Sequence, residues 1–318
     1  MNDLAGKVKS KIEVTTVFNR PKTCQLVTLV FIAIFWLFIS CENNTHTRKQ
    51  PVDKDYSLLI LSDIHISNDE TKDQRLADII SAVNNGMFEN PDMLIITGDV
   101  VSSFQRFRDR GDELENQRAA KFIQIASRLE IPWYIALGNH DYKIDSDRDS
   151  DAPFSFQDID TMEVLWHELA DVEPYYSIEH KGWNLLVLNS MRGRYLDRFF
   201  DDQQMQWLEK ELQKELPVLL FFHHPVKTDH IKIWCKPKDL VTPDTEPQFF
   251  SLVKAHHKQI KGIFVGHGHR WVNDDLFETV PVYETDSFAD NGKSPFHLVD
   301  IDTTKNLINV TRHEFIKN

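Results

Sequence analysis

Short runs of apolar residues recur along the chain after residue 56, and turn-forming or charged residues follow each of them. The runs are rich in β-branched and aromatic residues and too short for buried helices, so they predict buried strands. These strands are residues 57–62, 93–97, 133–137, 185–189, 218–222 and 262–266. Helical periodicity is seen in residues 72–85, 114–129, 202–215 and 247–257. Strands that alternate with helices indicate a layered α/β fold.

The last part of the chain departs from this alternation. Residues 280–285, 296–302 and 308–315 have the pattern of strands with no helix between them. We therefore predict α/β architecture with mixed β-sheets and the helices outside. Residues 142–174 are polar and contain the charge run DSDRDSD at 145–151. We interpret the charge run as a solvated loop, with part of a cap over a site as the alternative.

The N-terminal segment has the order of a secretory signal, with a basic stretch, the uncharged apolar run 25–40 and then polar residues. The run has 16 residues, fewer than the roughly 20 of a typical spanning helix. Ser40-Cys41 at its end resembles a bacterial lipoprotein signal, which predicts cleavage before Cys41, lipidation of Cys41 and a membrane-tethered protein outside the cytoplasm. An uncleaved N-terminal anchor is the alternative. The predicted segments are a signal or anchor (1–40), a polar linker (41–55) and a folded domain (56–318).

Charge and cysteine content narrow the class of protein further. The formal net charge is -13, and a strongly acidic surface repels nucleic-acid phosphate, so nucleic acid is an unlikely partner. The chain has three cysteines, too few for a disulfide framework. A small phosphorylated substrate remains compatible with this charge.

Candidate chemistry follows the predicted strands. Asp63-Ile64-His65, Gly98-Asp99, Gly138-Asn139-His140-Asp141, His223-His224-Pro225 and His267-Gly268-His269 each come after an apolar run. Ligand sites in open α/β sheets gather at the carboxyl ends of strands, so we expect these motifs to meet. Carboxylate, imidazole and amide groups suit borderline divalent ions such as Mn, Fe or Zn. The set contains no cysteine, which argues against a structural zinc site.

The spacing within two of these motifs has a physical reason. Residues i and i+2 of an extended segment point the same way, so Asp63 and His65 reach one metal together if the strand continues that far. Gly268 between His267 and His269 permits a turn that brings the two imidazoles close.

The ordered set D-x-H, GD, GNH[DE], H and GHxH resembles the calcineurin-like metallophosphoesterases over roughly residues 56–301. The resemblance implies a four-layer αββα sandwich and two divalent metal ions. It implies that Asp63, His65 and His269 hold the first ion and that Asp99 bridges. Asn139, His223 and His267 then hold the second ion. His223 is preferred to His224 because the family pattern is H-x-P.

The same resemblance implies a reaction. A hydroxide that bridges the two metals attacks a phosphomonoester or phosphodiester, while His140 and Asn139 stabilise the charge on the phosphate. His140 also assists the leaving group. A catalytically silent metal-binding module and a nuclease are the competing hypotheses.

The sequence gives weaker indications of a particular branch within the family. Ser102 stands where purple acid phosphatases have a tyrosine ligand, which disfavours a purple site. The stretch 175–190 resembles the class III cyclic-nucleotide phosphodiesterase and glycerophosphodiesterase branch, although Asn189 stands where that branch usually has Asp. His224 and Trp271 are candidate substrate contacts, and packing is the alternative for Trp271.

Overall fold

The apolar runs of the sequence form the central strands of a computed structural model that describes residues 55–88, 90–104, 118–144, 153–228, 236–290 and 292–317. The strands are β1 (Tyr56–Leu61), β2 (Met93–Ile96), β3 (Trp133–Ile135), β4 (Tyr176–His180), β5 (Trp183–Val187), β6 (Val218–Phe221), β7 (Ile260–Val265), β8 (Val272–Leu276), β9 (Val280–Glu284), β10 (Pro295–Asp302) and β11 (Leu307–Glu314). The α-helices are α1 (Glu70–Asn84), α2 (Arg118–Ala126), α3 (Phe156–Ala170), α4 (Asp202–Leu212) and α5 (Pro247–Ala255).

The strands of the described residues make two mixed sheets. The first has the order β11-β10-β1-β2-β3, with β1, β2 and β3 parallel and β10 antiparallel to β1. The second has the order β4-β5-β6-β7-β9-β8, with β5, β6, β7 and β9 parallel. The parallel strands at the centre of each sheet therefore bring their carboxyl ends to a common edge.

Alternate residues of each central strand face different apolar cores, as the two-residue period of a strand requires. Leu58 and Ile60 of β1 pack with Leu219 and Phe221 of β6 between the sheets. Leu59 and Leu61 instead pack outward, in a core that α1, α2 and α3 complete. The outer face of the second sheet packs in the same way against α4 and α5. The layers are helix, sheet, sheet and helix, so the predicted αββα sandwich is confirmed.

Helix α3 is the main element that the periodicity did not predict, and it lies in the polar stretch 142–174. Ser155 and Asp158 form a capping box at its first turn, and Trp166 is fully buried on its inner face. The capping box satisfies backbone N–H groups that would otherwise lack partners, which favours a helix start at this point. Strands β4 and β8 were also missed, since each lies at a sheet edge and is only partly apolar.

Several sequence predictions fall on residues that are not described. Cys41 and the whole 1–40 segment lie outside the described residues, as do 41–54 of the linker and the charge run 145–151. Among the helices of the described part, none combines the length and apolar character needed to cross a bilayer.

Candidate metal centre

The five motifs follow strands that end at the same edge of the sandwich, and backbone hydrogen bonds tie their turns together. The Asp63 N–H donates to Gly98 O at 3.0 Å within the first sheet. The Gly266 N–H donates to His223 O at 2.9 Å within the second. A further bond joins the sheets, because the His267 N–H donates to Asp63 Oδ2 at 3.0 Å. The turns that carry the candidate ligands are therefore held as one unit.

Five of the seven candidate metal ligands have a left-handed backbone conformation. Positive φ angles of 51–71° occur at five candidate ligands: Asp63, His65, Asp99, His267 and His269. Strand β1 ends at Leu61, so the expectation that Asp63 and His65 share an extended strand is wrong. The left-handed turns bring the side chains together instead. Non-glycine residues in this region cost of order 1–3 kcal/mol each, and such strain is concentrated at functional sites.

Asp63, His65 and His269 form one cluster, which we call the Asp63 half. His269 Nε2 lies 3.2 Å from Asp63 Oδ1 and 3.3 Å from His65 Nε2. His65 Nε2 is 3.8 Å from the same Asp63 oxygen. That oxygen is buried, yet it accepts no hydrogen bond from the described residues. A buried carboxylate oxygen that faces two imidazole nitrogens fits a cation between them.

Asn139, His223 and His267 form the second cluster, which we call the Asn139 half. The Asn139 amide oxygen lies 3.0 Å from His223 Nε2 and 3.0 Å from His267 Nδ1. The two imidazole nitrogens are 3.2 Å apart. Oxygen and nitrogen atoms that converge in this way form a second candidate position for a cation.

Asp99 lies between the two halves. Its Oδ2 is 3.2 Å from His223 Nε2 and 3.8 Å from His65 Nε2. Its Oδ1 accepts the backbone N–H of His140 at 2.7 Å, which fixes the carboxylate plane. One oxygen atom is therefore within reach of both halves.

The carboxylates and imidazoles of the cluster shift each other's pKa. Burial raises the pKa of Asp63, but His269 and His223 outweigh burial and bring it to about 2. Burial likewise raises the pKa of Asp99, which His223 and His140 hold well below its usual range. Burial lowers the pKa of His223, but Asp99 outweighs it and raises the value to about 10. Each acid thus has an imidazolium partner, and a metal ion takes the place of such protons when it binds.

Two glycines are required by the close packing of this edge. A Cβ atom on Gly266 would lie 1.9 Å from Ser62 Oγ and 2.7 Å from Asp63 Oδ2. A Cβ atom on Gly98, whose φ is +102°, would lie 2.4 Å from His223 Nδ1. Only hydrogen fits at these positions, so the glycines allow the ligand-bearing turns to approach.

His140 lies beside the cluster with its ring against that of His65, at a centroid distance of 4.7 Å. Its Nδ1 is 2.9 Å from the carbonyl oxygen of Ser102, and a carbonyl only accepts, so Nδ1 carries a proton. The ammonium of Lys143 is 3.3 Å from both ring nitrogens. His140 is thus oriented by the backbone and has a cation beside it.

The two candidate substrate contacts have neighbours within the protein. His224 is fully buried, its Nδ1 lies 2.8 Å from Ser190 Oγ, and burial holds its pKa well below the usual value. Trp271 packs edge-on against His297 at 4.7 Å and has the Arg312 guanidinium 5.5 Å from its ring centre.

Supporting residues were harder to find from the sequence. Asp141 is buried and accepts the backbone N–H groups of Gly138 and Val101, so it holds the turn that carries Asn139. Its place in the GNHD motif was the only signal. Asp290, whose carboxylate contacts His269, is 21 residues away in the sequence and carried no signal at all.

A second group of supporting residues lies behind that turn. Asn189 Nδ2 donates to the Tyr142 hydroxyl at 2.6 Å, and that hydroxyl donates to Glu163 of α3 at 3.0 Å. The Asn189 amide therefore faces a carboxylate already present in the core. This contact accounts for an amide where the related branch has an acid, since two buried carboxylates in contact repel.

The chain is similar in sequence to proteins named as probable phosphodiesterases. A probable cyclic nucleotide phosphodiesterase of Synechococcus sp. is 27% identical over 187 residues, which span 57% of this chain and 59% of the relative. A probable glycerophosphodiester phosphodiesterase of Arcobacter nitrofigilis is 25% identical over 253 residues, which span 77% of this chain and 80% of the relative.

A solved structure shares the fold. The crystal structure of a dimetal phosphatase from Danio rerio superposes with a TM-score of 0.58 at 14% identity, over 83% of this chain and 98% of that one. The family model described as calcineurin-like phosphoesterase matches residues 56–271, which is more than half of the chain. On that match, together with the ordered motifs, the chain belongs to the calcineurin-like phosphoesterase family.

Proposed function

We propose that this protein hydrolyses a small phosphoric ester with the help of two divalent metal ions, of Mn, Fe or Zn. The observation that carries the proposal is the position of Asp99 Oδ2, which lies within 3.8 Å of imidazole nitrogens from both halves of the cluster. A carboxylate oxygen shared in this way suits two cations a few ångströms apart.

The proposal assigns the ligands to the two halves. Asp63, His65 and His269 would hold one ion, Asn139, His223 and His267 would hold the other, and Asp99 would serve both. The buried Asp63 Oδ1, with two imidazole nitrogens within 3.8 Å, supports this set. Ions bound there polarise the phosphoryl oxygens of the substrate and lower the pKa of water.

In the proposed reaction, side chains beside the metal ligands orient the substrate and supply a proton to its leaving group. Asn139 and His140 lie next to each other on the turn that Asp141 holds, and both reach the edge where the halves meet. Since Nδ1–H of His140 is committed to the Ser102 carbonyl, Nε2 is the nitrogen that would contact the phosphate. In the imidazolium form, which carries a proton on both ring nitrogens, His140 would donate the Nε2 proton to the leaving oxygen and return to the neutral imidazole. The ammonium of Lys143 adds positive charge where the leaving group acquires negative charge.

The substrate class of the proposal is a phosphodiester, with a phosphomonoester as the alternative. The Synechococcus and Arcobacter relatives are both named as probable phosphodiesterases, one for cyclic nucleotides and one for glycerophosphodiesters. The net charge of -13 supports a small substrate over a nucleic-acid polymer.

The first test measures turnover of bis-p-nitrophenyl phosphate and p-nitrophenyl phosphate by the full-length protein with Mn²⁺, Fe²⁺ or Zn²⁺. We expect metal-dependent release of p-nitrophenol, faster from the diester, and none after chelation. His140→Ala should retain two metals and lower kcat by roughly 10²–10⁴-fold, the usual contribution of a general acid.

The outcomes separate the alternatives. A protein that binds metal but turns over neither ester with any of the three ions is a silent module, and the enzyme proposal is then wrong. Cleavage of single-stranded or duplex DNA at rates above those on the small esters would support a nuclease instead. A panel of cyclic nucleotides, glycerophosphodiesters, monoesters and pyrophosphates then identifies the natural class.

The proposal includes a location, as a membrane-tethered bacterial lipoprotein outside the cytoplasm with a lipid on Cys41. The uncharged run 25–40 and the Ser40-Cys41 junction support it. Mass spectrometry of the mature protein should find Cys41 as the first residue, with acyl chains attached. An intact 1–40 segment would exclude the lipoprotein and support an N-terminal helical anchor.

A further inference from the structure

His223 of the Asn139 half and His269 of the Asp63 half are held by different kinds of partner, while His267 has the Asp239 carboxylate 3.9 Å from its Nε2. His223 uses Nε2 toward the cluster, while its Nδ1–H donates to the backbone carbonyl of Thr97 at 2.9 Å. His269 uses Nε2 toward Asp63 and His65, while its Nδ1–H donates to the carboxylate of Asp290 at 2.7 Å. A carboxylate partner fixes the ring and makes the opposite nitrogen a stronger donor to metal than a carbonyl partner does.

The loop that carries Asp290, residues 285–290, is anchored to the same strand end as the Asp63 half. The N–H groups of Phe288 and Ala289 donate to the carbonyls of Ser62 and Asp63, each at 3.0 Å. The Arg75 guanidinium of α1 donates to the carbonyls of Phe288 and Ala289 at 3.0 and 2.8 Å. Five residues ahead of Asp290, the loop is also fixed by Thr285, whose N–H donates to Val265 O.

This anchoring matters because the Asp290 side chain is 48% exposed and its neighbour His269 is 36% exposed. A solvent-exposed ion pair contributes little stabilisation when both of its side chains must first be ordered to make the contact. Here the backbone on either side of the contact is ordered already, since the His267–His269 turn and the 285–290 loop both bond to Asp63. The carboxylate is therefore placed before any ligand arrives.

From this geometry we infer that Asp290 is a positioning residue for the Asp63 half, which orients His269 and strengthens it as a ligand of one of the two metal ions. The inference rests on the proposed function, because it assumes that His269 binds metal. The expected effect falls on one half, since the carboxylate of Asp290 contacts His269, while His223 of the Asn139 half has a backbone partner.

The test is an isothermal calorimetric titration of the chelator-stripped, full-length protein with Mn²⁺. The wild-type protein should show two dissociation constants. Asp290→Asn should weaken one of them by about 10–100-fold, which is the usual effect of removing such a partner, and leave the other within twofold. Asp290→Glu keeps the charge and should recover a large part of the lost affinity.

The matched control is Asp286→Asn, which removes the same charge from the same loop. The Asp286 carboxylate accepts the N–H of Ser287 at 2.9 Å and acts on His269 through its charge, without a hydrogen bond to it. It should change both dissociation constants by less than twofold. An effect as large as that of Asp290→Asn would mean that general loop charge, and not the contact with His269, sets the affinity.

A double-mutant cycle with His269→Ala separates positioning from a merely structural role. If Asp290 acts through His269, Asp290→Asn should have less than a twofold further effect in the His269→Ala background. Additive effects, or equal weakening of both ions by Asp290→Asn alone, would overturn the inference. A wild-type protein that binds no Mn²⁺ would contradict the proposed function, whereas two bound ions with no response to Asp290→Asn would contradict this inference alone.

Discussion

The Asp63 half and the Asn139 half differ in charge and in access to solvent. The Asp63 half has a carboxylate of its own, and its His269 is 36% exposed and supported by a second acid, Asp290. The Asn139 half has a neutral amide in place of the carboxylate, and its His223 is fully buried against a backbone carbonyl. Two positions that share Asp99 therefore offer a divalent ion different surroundings.

On the proposed function, the difference would give the two ions different roles. A divalent ion held by the Asp63 half would have the Asp63 carboxylate and a share of Asp99 beside it, so the protein would neutralise more of its charge. An ion held by the Asn139 half would have only the Asp99 carboxylate as an acidic ligand and would keep more charge for a bound anion. We therefore expect tighter binding in the Asp63 half and stronger polarisation of substrate in the Asn139 half.

The largest expected effect comes from the residue that joins the halves. Asp99→Ala removes the shared oxygen and leaves His223 and His65 with no acid between them. Metal content should fall from two ions to less than one per chain, and turnover should fall by about 10³-fold or more, because several kcal/mol of charge stabilisation is lost. Elemental analysis and p-nitrophenyl ester assays measure the two effects. Two ions retained by Asp99→Ala would show that Asp99 does not bridge.

The positions of these residues in the chain explain how much of the site was predictable. Asp63, Asp99 and His267 each follow an apolar run, and the carboxyl ends of parallel strands meet at one edge by the rules of the fold. The sheets and flanking helices followed from the same periodicity. The conformation of the turns did not follow from it. Asp63 and His65 have left-handed φ angles, and their N–H groups donate to the carbonyls of Gly98 and Asp99, which follow β2 and are distant in sequence.

The supporting residues were unpredictable for a different reason. Asp290 lies in a loop with no periodic pattern, and it is brought to His269 by tertiary bonds such as those from Phe288 and Ala289 to the carbonyls that follow β1. Helix α3 was missed because a polar stretch precedes it and its buried side, with Trp166, is narrow. Such contacts depend on tertiary packing that a single sequence does not encode locally.

The second effect in size tests the close packing of each half. Gly266→Ala places a Cβ atom 1.9 Å from Ser62 Oγ beside the Asp63 half, and Gly98→Ala places one 2.4 Å from His223 Nδ1 beside the Asn139 half. We expect each to lower the free energy of unfolding by about 3 kcal/mol, as overpacking does at its upper range. Urea denaturation of the stripped protein measures this.

Gly182→Ala is the matched control for these glycines. Like Gly98, Gly182 has a positive φ, of +81°, but a Cβ atom there would meet nothing within 4 Å. Its cost should be only the backbone strain of a side chain in the left-handed region, about 1–2 kcal/mol. If Gly266→Ala costs no more than Gly182→Ala, the strand ends are not as tightly packed as the structure has them.

The third effect changes the charge that distinguishes the halves. Asn139→Asp gives the Asn139 half its own carboxylate, 3.0 Å from the nitrogens of His223 and His267. We expect its Mn²⁺ affinity to rise by about 10-fold, because each added anionic ligand strengthens binding of a hard cation. Calorimetric titration measures both constants. Less charge is then left for the substrate, so kcat should fall while metal content stays at two.

Asp63→Asn is the reciprocal change. It removes the carboxylate that belongs to the Asp63 half alone, and the Mn²⁺ affinity of that half should fall by about 10-fold or more. The two variants together make a charge exchange, and the order of the two affinities should reverse when both are present. If the order is unchanged in the double variant, ligand charge is not what distinguishes the halves.

The smallest effect concerns the core behind the Asn139 half. Tyr142→Phe removes a buried hydroxyl that accepts from Asn189 at 2.6 Å and donates to Glu163 at 3.0 Å. Asn189 Nδ2 also lies 3.3 Å from Glu163 Oε1, so it keeps one partner after the change. The loss of unfolding free energy should therefore be about 1 kcal/mol, at the low end for a disrupted buried hydrogen bond, as measured by urea denaturation.

Tyr142→Phe also tests whether the two halves are independent. Since Tyr142 lies three residues after Asn139 and contacts none of the Asp63 half in this network, any weakening of Mn²⁺ binding should fall on the Asn139 half. Tyr195→Phe, on a half-buried ring beside Phe156, should change stability by less than about 0.5 kcal/mol. A Tyr142→Phe protein that binds Mn²⁺ less tightly in the Asp63 half would mean that the two halves are coupled through the core and not only through Asp99.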